Sequence, residues 1–166
     1  MEAAVQEEQG RTFSGGDVWL RPYDYLQLGD SFVSRARTVT EADVVGFAAL
    51  TGDWHPQHSD QTYAENSLFG QRVAHGLLVM ALAVGLVPNE YVAALRRVKQ
   101  VVFKAPVVFG DTIHVEGTIV RLVPFSDDMG MVTGRWKVLN QDGAVVMKME
   151  LDALWRREQS DNGHAR

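Results

Sequence analysis

Cysteine is absent from this 166-residue chain, which excludes disulfides, thiolate nucleophiles and thiolate metal sites and fits a reducing compartment. An excess of positive charge is also missing, since the formal net charge is −5. General nucleic-acid or membrane-surface binders rely on a basic field. No apolar run reaches membrane-spanning length, and residues 1–16 lack the basic start and apolar centre of a signal peptide. We therefore expect a cytoplasmic protein that binds neither nucleic acid nor membranes.

Hydrophobic residues are abundant, at 46% of the chain, which suffices for the packed core of one domain. The two ends are polar, and they offer little apolar area to offset the conformational entropy lost on ordering. We expect one folded domain over residues 17–157, a flexible lead over residues 1–16 and a flexible tail over residues 158–166.

Capping signals predict two helices in the first half of the chain. Thr40 is a good N-cap residue, acidic residues follow it, and Gly52 supplies a stop, so the first helix delivers Asp53 at its carboxyl end. Asp60 is suited to cap a short helix that runs through Glu65.

The run 75–86 is apolar on every side, which predicts a central helix that is buried all round and ended by Pro88. His75 is interpreted as the cap of this helix, and the alternative is a role in binding substrate or in supporting the residues that do so. Alternation of apolar and polar residues predicts an edge strand over 31–38 and, in the second half of the chain, four long strands over 95–103, 112–122, 131–139 and 144–155. Short turns between these strands favour antiparallel neighbours. The pattern predicts an α+β domain in which a sheet surrounds a central helix.

The segment TGDWHPQH at 51–58 carries the chemistry. Asp53 and His58 lie five positions apart across a proline-bearing turn, so both side chains can face one cleft as an acid–base pair. Gly76 begins the central helix, where free backbone N–H groups meet negative charge. These groups suit addition of water to an activated double bond.

Other interpretations of these residues remain open at this stage. Taken singly, Asp53 after a helix is more often a turn residue, and His55 belongs either to an exposed loop or to an altered site. Asp53, His55 and His58 resemble a short metal-ligand cluster, but a stable zinc site usually takes another ligand from elsewhere. We expect no metal and no cofactor.

The ordered motifs identify a resemblance to the MaoC-like dehydratases, the hotdog-fold group that includes the (R)-specific enoyl-CoA hydratases. The resemblance covers residues 22–155. Its centre is the hydratase signature of a small residue, Gly, Asp, any residue, Asn, Pro, an apolar residue and His, matched at 51–58. Further matching blocks are FG at 69–70, AHG at 74–76, FKAPV at 103–107 and FGD at 109–111.

The resemblance implies a single hotdog domain, with a bent antiparallel sheet around a long central helix at about 75–86, and pairing as a homodimer. It implies an acyl thioester substrate carried on coenzyme A or an acyl carrier protein. Asp53 and His58 take the places of the catalytic pair, and Gly76 takes the place of the residue whose N–H polarises the thioester carbonyl.

Three positions depart from the family pattern. His55 stands where the signature has Asn, Gln57 where it has an apolar residue, and Val84 where bacterial hydratases often have Ser. We expect the acyl tunnel to be apolar, and its candidate lining residues are Trp54, Leu77, Val84 and Leu86.

A basic cluster on a predicted strand either contacts the phosphates of the carrier or is a set of solvated edge charges. Its members are Arg96, Arg97, Lys99 and Lys104.

The preferred function is hydration of trans-2-enoyl thioesters, or the reverse dehydration of (R)-3-hydroxyacyl thioesters. An acyl thioester hydrolase on the same fold is the alternative enzyme, and a non-catalytic acyl-thioester binding or partner subunit is the alternative outside catalysis. The spacing of Asp53 and His58 favours the lyase.

Overall fold

A computed structural model describes residues 10–15 and 17–158 of the chain. Its helices are α1 (Glu41–Thr51), α2 (Pro56–Ser59), α3 (Gln61–Glu65) and α4 (Gly76–Leu86). Its strands are β1 (Thr12–Ser14), β2 (Ser31–Val33), β3 (Arg37–Thr38), β4 (Val92–Phe103), β5 (Thr112–Pro124), β6 (Met129–Leu139) and β7 (Val145–Arg156). Two short 3-10 helices, Asp17–Leu20 and Tyr23–Tyr25, precede β2.

One sheet contains these strands in the order β1-β2-β5-β6-β7-β4, and β3 pairs separately with β5. The pair β1/β2 is parallel, whereas the pairings β2/β5, β5/β6, β6/β7 and β4/β7 are antiparallel. The four long strands of the second half fall close to their predicted bounds. The prediction of an α+β domain is confirmed.

Helix α1 forms as its capping signals predict. The Thr40 side chain accepts a hydrogen bond from the Asp43 N–H, Asp43 caps the Thr40 N–H in return, and Gly52 ends the helix in the left-handed conformation with φ 80°. Asp60 likewise caps α3 by accepting from the Tyr63 N–H. None of the described helices has both the length and the apolarity needed to cross a membrane.

The amino-terminal region differs from the prediction. Residues Thr12–Ser14, which we expected to belong to a flexible lead, form β1 beside β2. The Arg11 guanidinium donates to both carboxylate oxygens of the fully buried Asp30, at 3.0 and 2.6 Å, and this ion pair fixes the start of β1. Residues 1–9 of the expected lead and 159–166 of the expected tail lie outside the described residues.

The predicted edge strand over 31–38 is also wrong in two respects. It divides into β2 and β3, and β2 lies between β1 and β5 rather than at the edge. The division occurs where the buried Ser34 side chain accepts a hydrogen bond from the Val115 N–H at 2.8 Å. A side-chain contact of this kind competes with a regular strand ladder.

Helix α4 packs one face against the sheet. Leu78, Val79 and Ala83 are buried in the main core, whereas Leu77 is 58% exposed and Ala81 and Gly85 are exposed. The expectation of a helix buried all round is therefore wrong for a single chain. The helix is apolar on every side, but its own sheet covers only one of them.

Candidate active site

Asp53 is delivered to the site by the end of α1. Because Gly52 adopts the left-handed conformation, the chain turns sharply and leaves the Asp53 side chain 52% exposed. The local hydrogen bonds of Asp53 are long, from its N–H to Thr51 Oγ1 at 3.3 Å and from the His55 N–H to its Oδ1 at 3.4 Å. These two hydrogen bonds to neighbouring residues therefore hold Asp53 only weakly.

His55 is exposed at the end of the short loop 52–55 and is the N-cap residue of α2. Its Nδ1 accepts a hydrogen bond from the Gln57 N–H at 3.1 Å, and Pro56 occupies the first turn. An imidazole acceptor thus caps α2 at the position where the family signature has Asn. The other departure, Gln57, donates its side-chain amide to the Gln71 carbonyl at 3.1 Å.

His58 lies in α2 and has a fixed orientation. Its Nδ1 lies 2.7 Å from the Val73 carbonyl oxygen, and because a carbonyl only accepts, Nδ1 carries the hydrogen and Nε2 keeps its lone pair. Burial lowers the pKa of His58 below its usual value, the bond to Val73 opposes that effect, and the neighbouring His75 adds to the lowering. A neutral ring with a free Nε2 is suited to accept a proton.

His75 is the most buried of these residues, at 3% exposure. It occupies the N-cap position of α4, yet its side chain makes no capping hydrogen bond to the first turn of that helix, so the capping interpretation is wrong. Its Nε2 lies 2.9 Å from the Asp53 carbonyl oxygen, and its ring lies against that of His58, with centroids 3.8 Å apart and an interplanar angle of 31°.

Donor atoms of Asp53, His58 and His75 all lie within 4.8 Å of one another. A metal ion needs lone pairs that converge on one point. Ring nitrogens direct their lone pairs in the ring plane, so two imidazoles lying nearly face to face do not converge in this way. The geometry therefore favours proton transfer over metal binding.

The start of α4 is anchored to the loop before β5. The Ala74 N–H donates to the Val107 carbonyl at 2.8 Å, and Val73 forms an isolated bridge with Val108. A Cβ atom on Gly76 would lie 2.8 Å from the Phe103 ring, so glycine allows this aromatic ring to cover the helix start.

A cavity of about 580 Å³ opens at this point, a volume within the usual range for small-molecule sites. His58 and Gly76 both line it. Asp53 does not, but its carboxylate lies beside the donor atoms of His58. The rest of the lining is mainly apolar with a few polar groups, and it includes Leu77, Val79, Phe103, Val107, Val146, His55, Gln57 and Lys104.

Three of the four predicted tunnel residues lie elsewhere. Val84 lines a separate cavity of about 250 Å³ together with Trp19 and Trp136, because it lies two turns beyond the start of α4. Trp54 is 51% exposed and, like Leu86, is not among the residues that line the larger cavity. The assignment of Trp54, Val84 and Leu86 to this lining is therefore corrected.

The basic cluster is largely occupied by other contacts. Lys99 lies 3.1 Å from Asp152, and Arg97 lies 4.0 Å from the same carboxylate. Arg96 lies over the Phe125 ring at 5.2 Å. Of the four predicted carrier contacts, Lys104 alone lines the cavity.

Several contributions to the site have no clear signal in the sequence. Val73 acts through its backbone carbonyl, which any residue carries. Phe47 lies against His75 with ring centroids 5.0 Å apart, and its place on α1 beside the buried Ala48 suggests only a core residue. Phe103 begins one of the motif blocks, so the family resemblance was the available signal for it.

Comparison with known proteins identifies a matching family and relatives that are similar in sequence. A family model described as MaoC like domain matches residues 26–139. Protein MaoC of Klebsiella aerogenes is 40% identical over 102 residues, which make up 60% of this chain but 30% of that protein. The (R)-specific enoyl-CoA hydratase of Rhodospirillum rubrum is 34% identical over 115 residues, 67% of this chain and 78% of the relative.

Solved structures have the same fold. A MaoC-like dehydratase from Rhodospirillum rubrum matches with a TM-score of 0.75 and 28% identity, over 84% of this chain and 99% of that chain. A conserved hypothetical protein from Mycobacterium tuberculosis, described as having a double hotdog fold, matches with a TM-score of 0.76 and 18% identity, over 84% of this chain and 45% of that chain. The predicted hotdog architecture is confirmed.

Proposed function

This chain belongs to the MaoC-like domain family, and on that premise we propose that it is a hydro-lyase that adds water to trans-2-enoyl thioesters and, in reverse, dehydrates (R)-3-hydroxyacyl thioesters. One observation carries the proposal. The His58 ring is held by the Val73 carbonyl so that Nε2 is free, beside the Asp53 carboxylate and in a cavity that Gly76 also lines.

In the hydration direction, Asp53 and His58 hold one water molecule through its two hydrogens. His58 Nε2 removes a proton as the water oxygen bonds to the β-carbon of the substrate, and the double-bond electrons move toward the thioester oxygen. The Asp53 carboxylate stabilises the imidazolium that forms. The resulting enolate then collapses, and its α-carbon takes the proton back from His58 Nε2, so the pair is restored after each turnover.

The amino end of α4 stabilises the enolate. Because the His75 side chain makes no cap bond there, the first backbone N–H groups of the helix remain available as donors. Gly76 lines the cavity, and its N–H is the donor that we assign to the thioester oxygen. Loss of such a donor commonly costs about 100-fold to 1000-fold in rate.

The cavity supports a thioester as the substrate class. Apolar residues such as Leu77, Val79 and Val107 suit an acyl chain, whereas Lys104 at the same cavity offers a positive charge to a phosphate of coenzyme A or of an acyl carrier protein. The name of the (R)-specific enoyl-CoA hydratase of Rhodospirillum rubrum gives its substrate as an enoyl-CoA, which favours coenzyme A as the first carrier to test.

The decisive assay uses purified protein and crotonyl-CoA and follows loss of the conjugated enoyl absorbance beside a measurement of free thiol. A hydro-lyase removes the absorbance without releasing thiol. Asp53→Asn and His58→Ala are each expected to lower turnover by at least about 100-fold, because the first removes the carboxylate that holds the water and stabilises the imidazolium, and the second removes the group that transfers the proton.

Matched controls separate chemistry from folding. Asp60→Asn changes a nearby carboxylate to an amide that still caps α3, and His114→Ala removes a histidine on β5, away from the site. Both controls should keep wild-type turnover. Near wild-type rates for Asp53→Asn or His58→Ala contradict the mechanism, and thiol release by wild-type protein indicates a hydrolase instead.

We also propose that two copies of the chain pair through α4 and β4. Leu77, Ala81 and Gly85 form an exposed apolar row at helical spacing on α4, and β4 is the last strand of the sheet path. A chain with a double hotdog fold, of which this chain matches 45%, is consistent with the need for two such units.

A further inference from the structure

His75 has three contacts that the proposed chemistry does not use. Its Nε2 lies 2.9 Å from the Asp53 carbonyl oxygen, one face of its ring lies against His58, and the Phe47 ring lies 5.0 Å away, measured between centroids. The side chain is 3% exposed and is not among the residues that line the cavity. It therefore meets the catalytic residues without reaching the substrate.

We propose that His75 is a positioning residue that fixes Asp53 and His58 relative to each other, by donating Nε2–H to the Asp53 carbonyl and by supporting the face of the His58 ring. This inference rests on the proposed function, in which these two residues share one water. Of the two roles considered for His75 besides capping, it selects support of the site residues over substrate binding.

Asp53 needs such a tether because its own hydrogen bonds are local and long. The bonds at 3.3 and 3.4 Å join it only to neighbours two positions away. The His75 bond is shorter and spans 22 positions, so it joins the end of α1 to the start of α4. Without it, nothing among the described hydrogen bonds of Asp53 ties that residue to the rest of the site.

The hydrogen of His75 has a preferred location. Its Nδ1 is buried and has no hydrogen-bond partner among the described residues. A buried N–H without an acceptor is costly, whereas a lone pair on Nδ1 leaves Nε2–H to serve the Asp53 carbonyl. Burial thus favours the tautomer that makes the tether.

One short segment consequently positions every reacting group. The Val73 carbonyl holds His58, the His75 ring holds Asp53, and Gly76 follows with the assigned oxyanion donor. The segment is itself anchored through Ala74, whose N–H donates to the Val107 carbonyl. A shift of about 1 Å in such a geometry is enough to cost about 100-fold in rate.

Two conservative variants of His75 each remove one of its two contacts, the hydrogen bond to Asp53 or the ring contact with His58. His75→Phe keeps a flat ring beside His58 but has no donor for Asp53, and His75→Gln keeps a side-chain N–H but has no ring. Each should lower kcat by about 10-fold to 100-fold with KM within about 3-fold of wild type. His75→Ala should lose more than either, and Phe47→Leu, which leaves the Asp53 tether in place, should lose less.

A spectroscopic measurement makes the outcome independent of turnover. The ring ¹H resonances of His58 should move in His75→Gln, which removes the stacked ring, and should move less in His75→Phe. Wild-type kcat in both variants together with unchanged His58 resonances overturns the inference. A raised KM with unchanged kcat also overturns it, because that result indicates substrate contact.

A wrong hydro-lyase proposal can be distinguished from a wrong positioning role for His75. If wild-type protein does not hydrate crotonyl-CoA, the hydro-lyase proposal fails, and the His58 resonances alone decide the role of His75. Movement of these resonances in His75→Gln then supports the positioning role, and their constancy in both variants rejects it.

Discussion

His58 meets the requirements of a general base through its surroundings rather than through its identity. The Val73 carbonyl fixes the hydrogen on Nδ1, and burial lowers the pKa of the ring. The groups that face it are His75 and His55, which also lower its pKa, and Asp53, which raises it. Near neutral pH these effects leave Nε2 unprotonated, as a base requires.

The lowered pKa of His58 predicts the acid limb of the pH profile. As pH falls, activity is lost when Nε2 becomes protonated, so the midpoint of that limb in kcat/KM should lie below the ordinary histidine value of 6.5. The measurement is kcat/KM for crotonyl-CoA over about two pH units either side of that value, from about pH 4.5 to about pH 8.5. His114→Ala should leave the limb in place, and a midpoint at or above 6.5 contradicts the prediction.

Gly76 supports a second prediction at the residue scale. A Cβ atom there would lie 2.8 Å from the Phe103 ring, so Gly76→Ala should displace either the ring or the helix start and lower kcat by about 10-fold to 100-fold. The variant Gly76→Ala/Phe103→Ala removes the clash, and recovery of kcat relative to the single variant should follow. Without such recovery, the steric account of Gly76 is wrong.

The sequence predicted these residues unevenly. Asp53, His58 and Gly76 stand in a motif whose order and spacing can be read directly. The contact between His75 and Asp53 cannot be read in this way, because its acceptor is a backbone carbonyl 22 positions away. Likewise, the exposed position of Trp54 depends on the direction in which the turn after Gly52 leaves α1.

At the scale of elements, local signals worked where they were chemically specific. Thr40, Gly52 and Asp60 cap their helices as predicted. The strand β1 was missed because Thr12–Ser14 is short and its pairing depends on Arg11 reaching Asp30, 19 positions away. The polar composition of residues 1–16 predicts a flexible lead, whereas the long-range ion pair between Arg11 and Asp30 holds the start of β1 beside β2.

That ion pair predicts a stability effect. Arg11→Ala leaves the carboxylate of Asp30, which is fully buried, without its guanidinium partner, so the free energy of unfolding should fall by about 1–3 kcal/mol. Urea denaturation followed by tryptophan fluorescence measures the change. Arg35→Ala, at an exposed arginine after β2, is the matched control and should have little effect. Equal stability of the two variants contradicts the assigned role of Arg11.

At the scale of the whole molecule, one chain leaves a large apolar surface uncovered. Periodicity predicted that α4 is buried on all sides, and the sheet of its own chain covers one of them. Leu77 on α4 is 58% exposed, and Leu95, Val102 and Phe103 on the edge strand β4 are 44–50% exposed. The apolar pattern of this helix indicates burial on every side, and we propose that a second copy of the chain covers the side that its own sheet leaves exposed.

Pairing through this surface makes the last prediction. Stable interfaces bury about 800 Å² on each partner, and an exposed strand of 12 residues such as β4 offers unpaired backbone groups that a second strand can satisfy. Ala81→Glu places a charge in the middle of the exposed row on α4, and burying that charge is costly. Light scattering during size-exclusion chromatography should therefore show a dimer for the wild type and a monomer for Ala81→Glu. Ala42→Glu, at an exposed alanine of α1, is the control and should stay dimeric.

The monomeric Ala81→Glu variant should also lose activity, because Leu77 of the same row lines the cavity. A fully active Ala81→Glu monomer would show that catalysis does not need pairing.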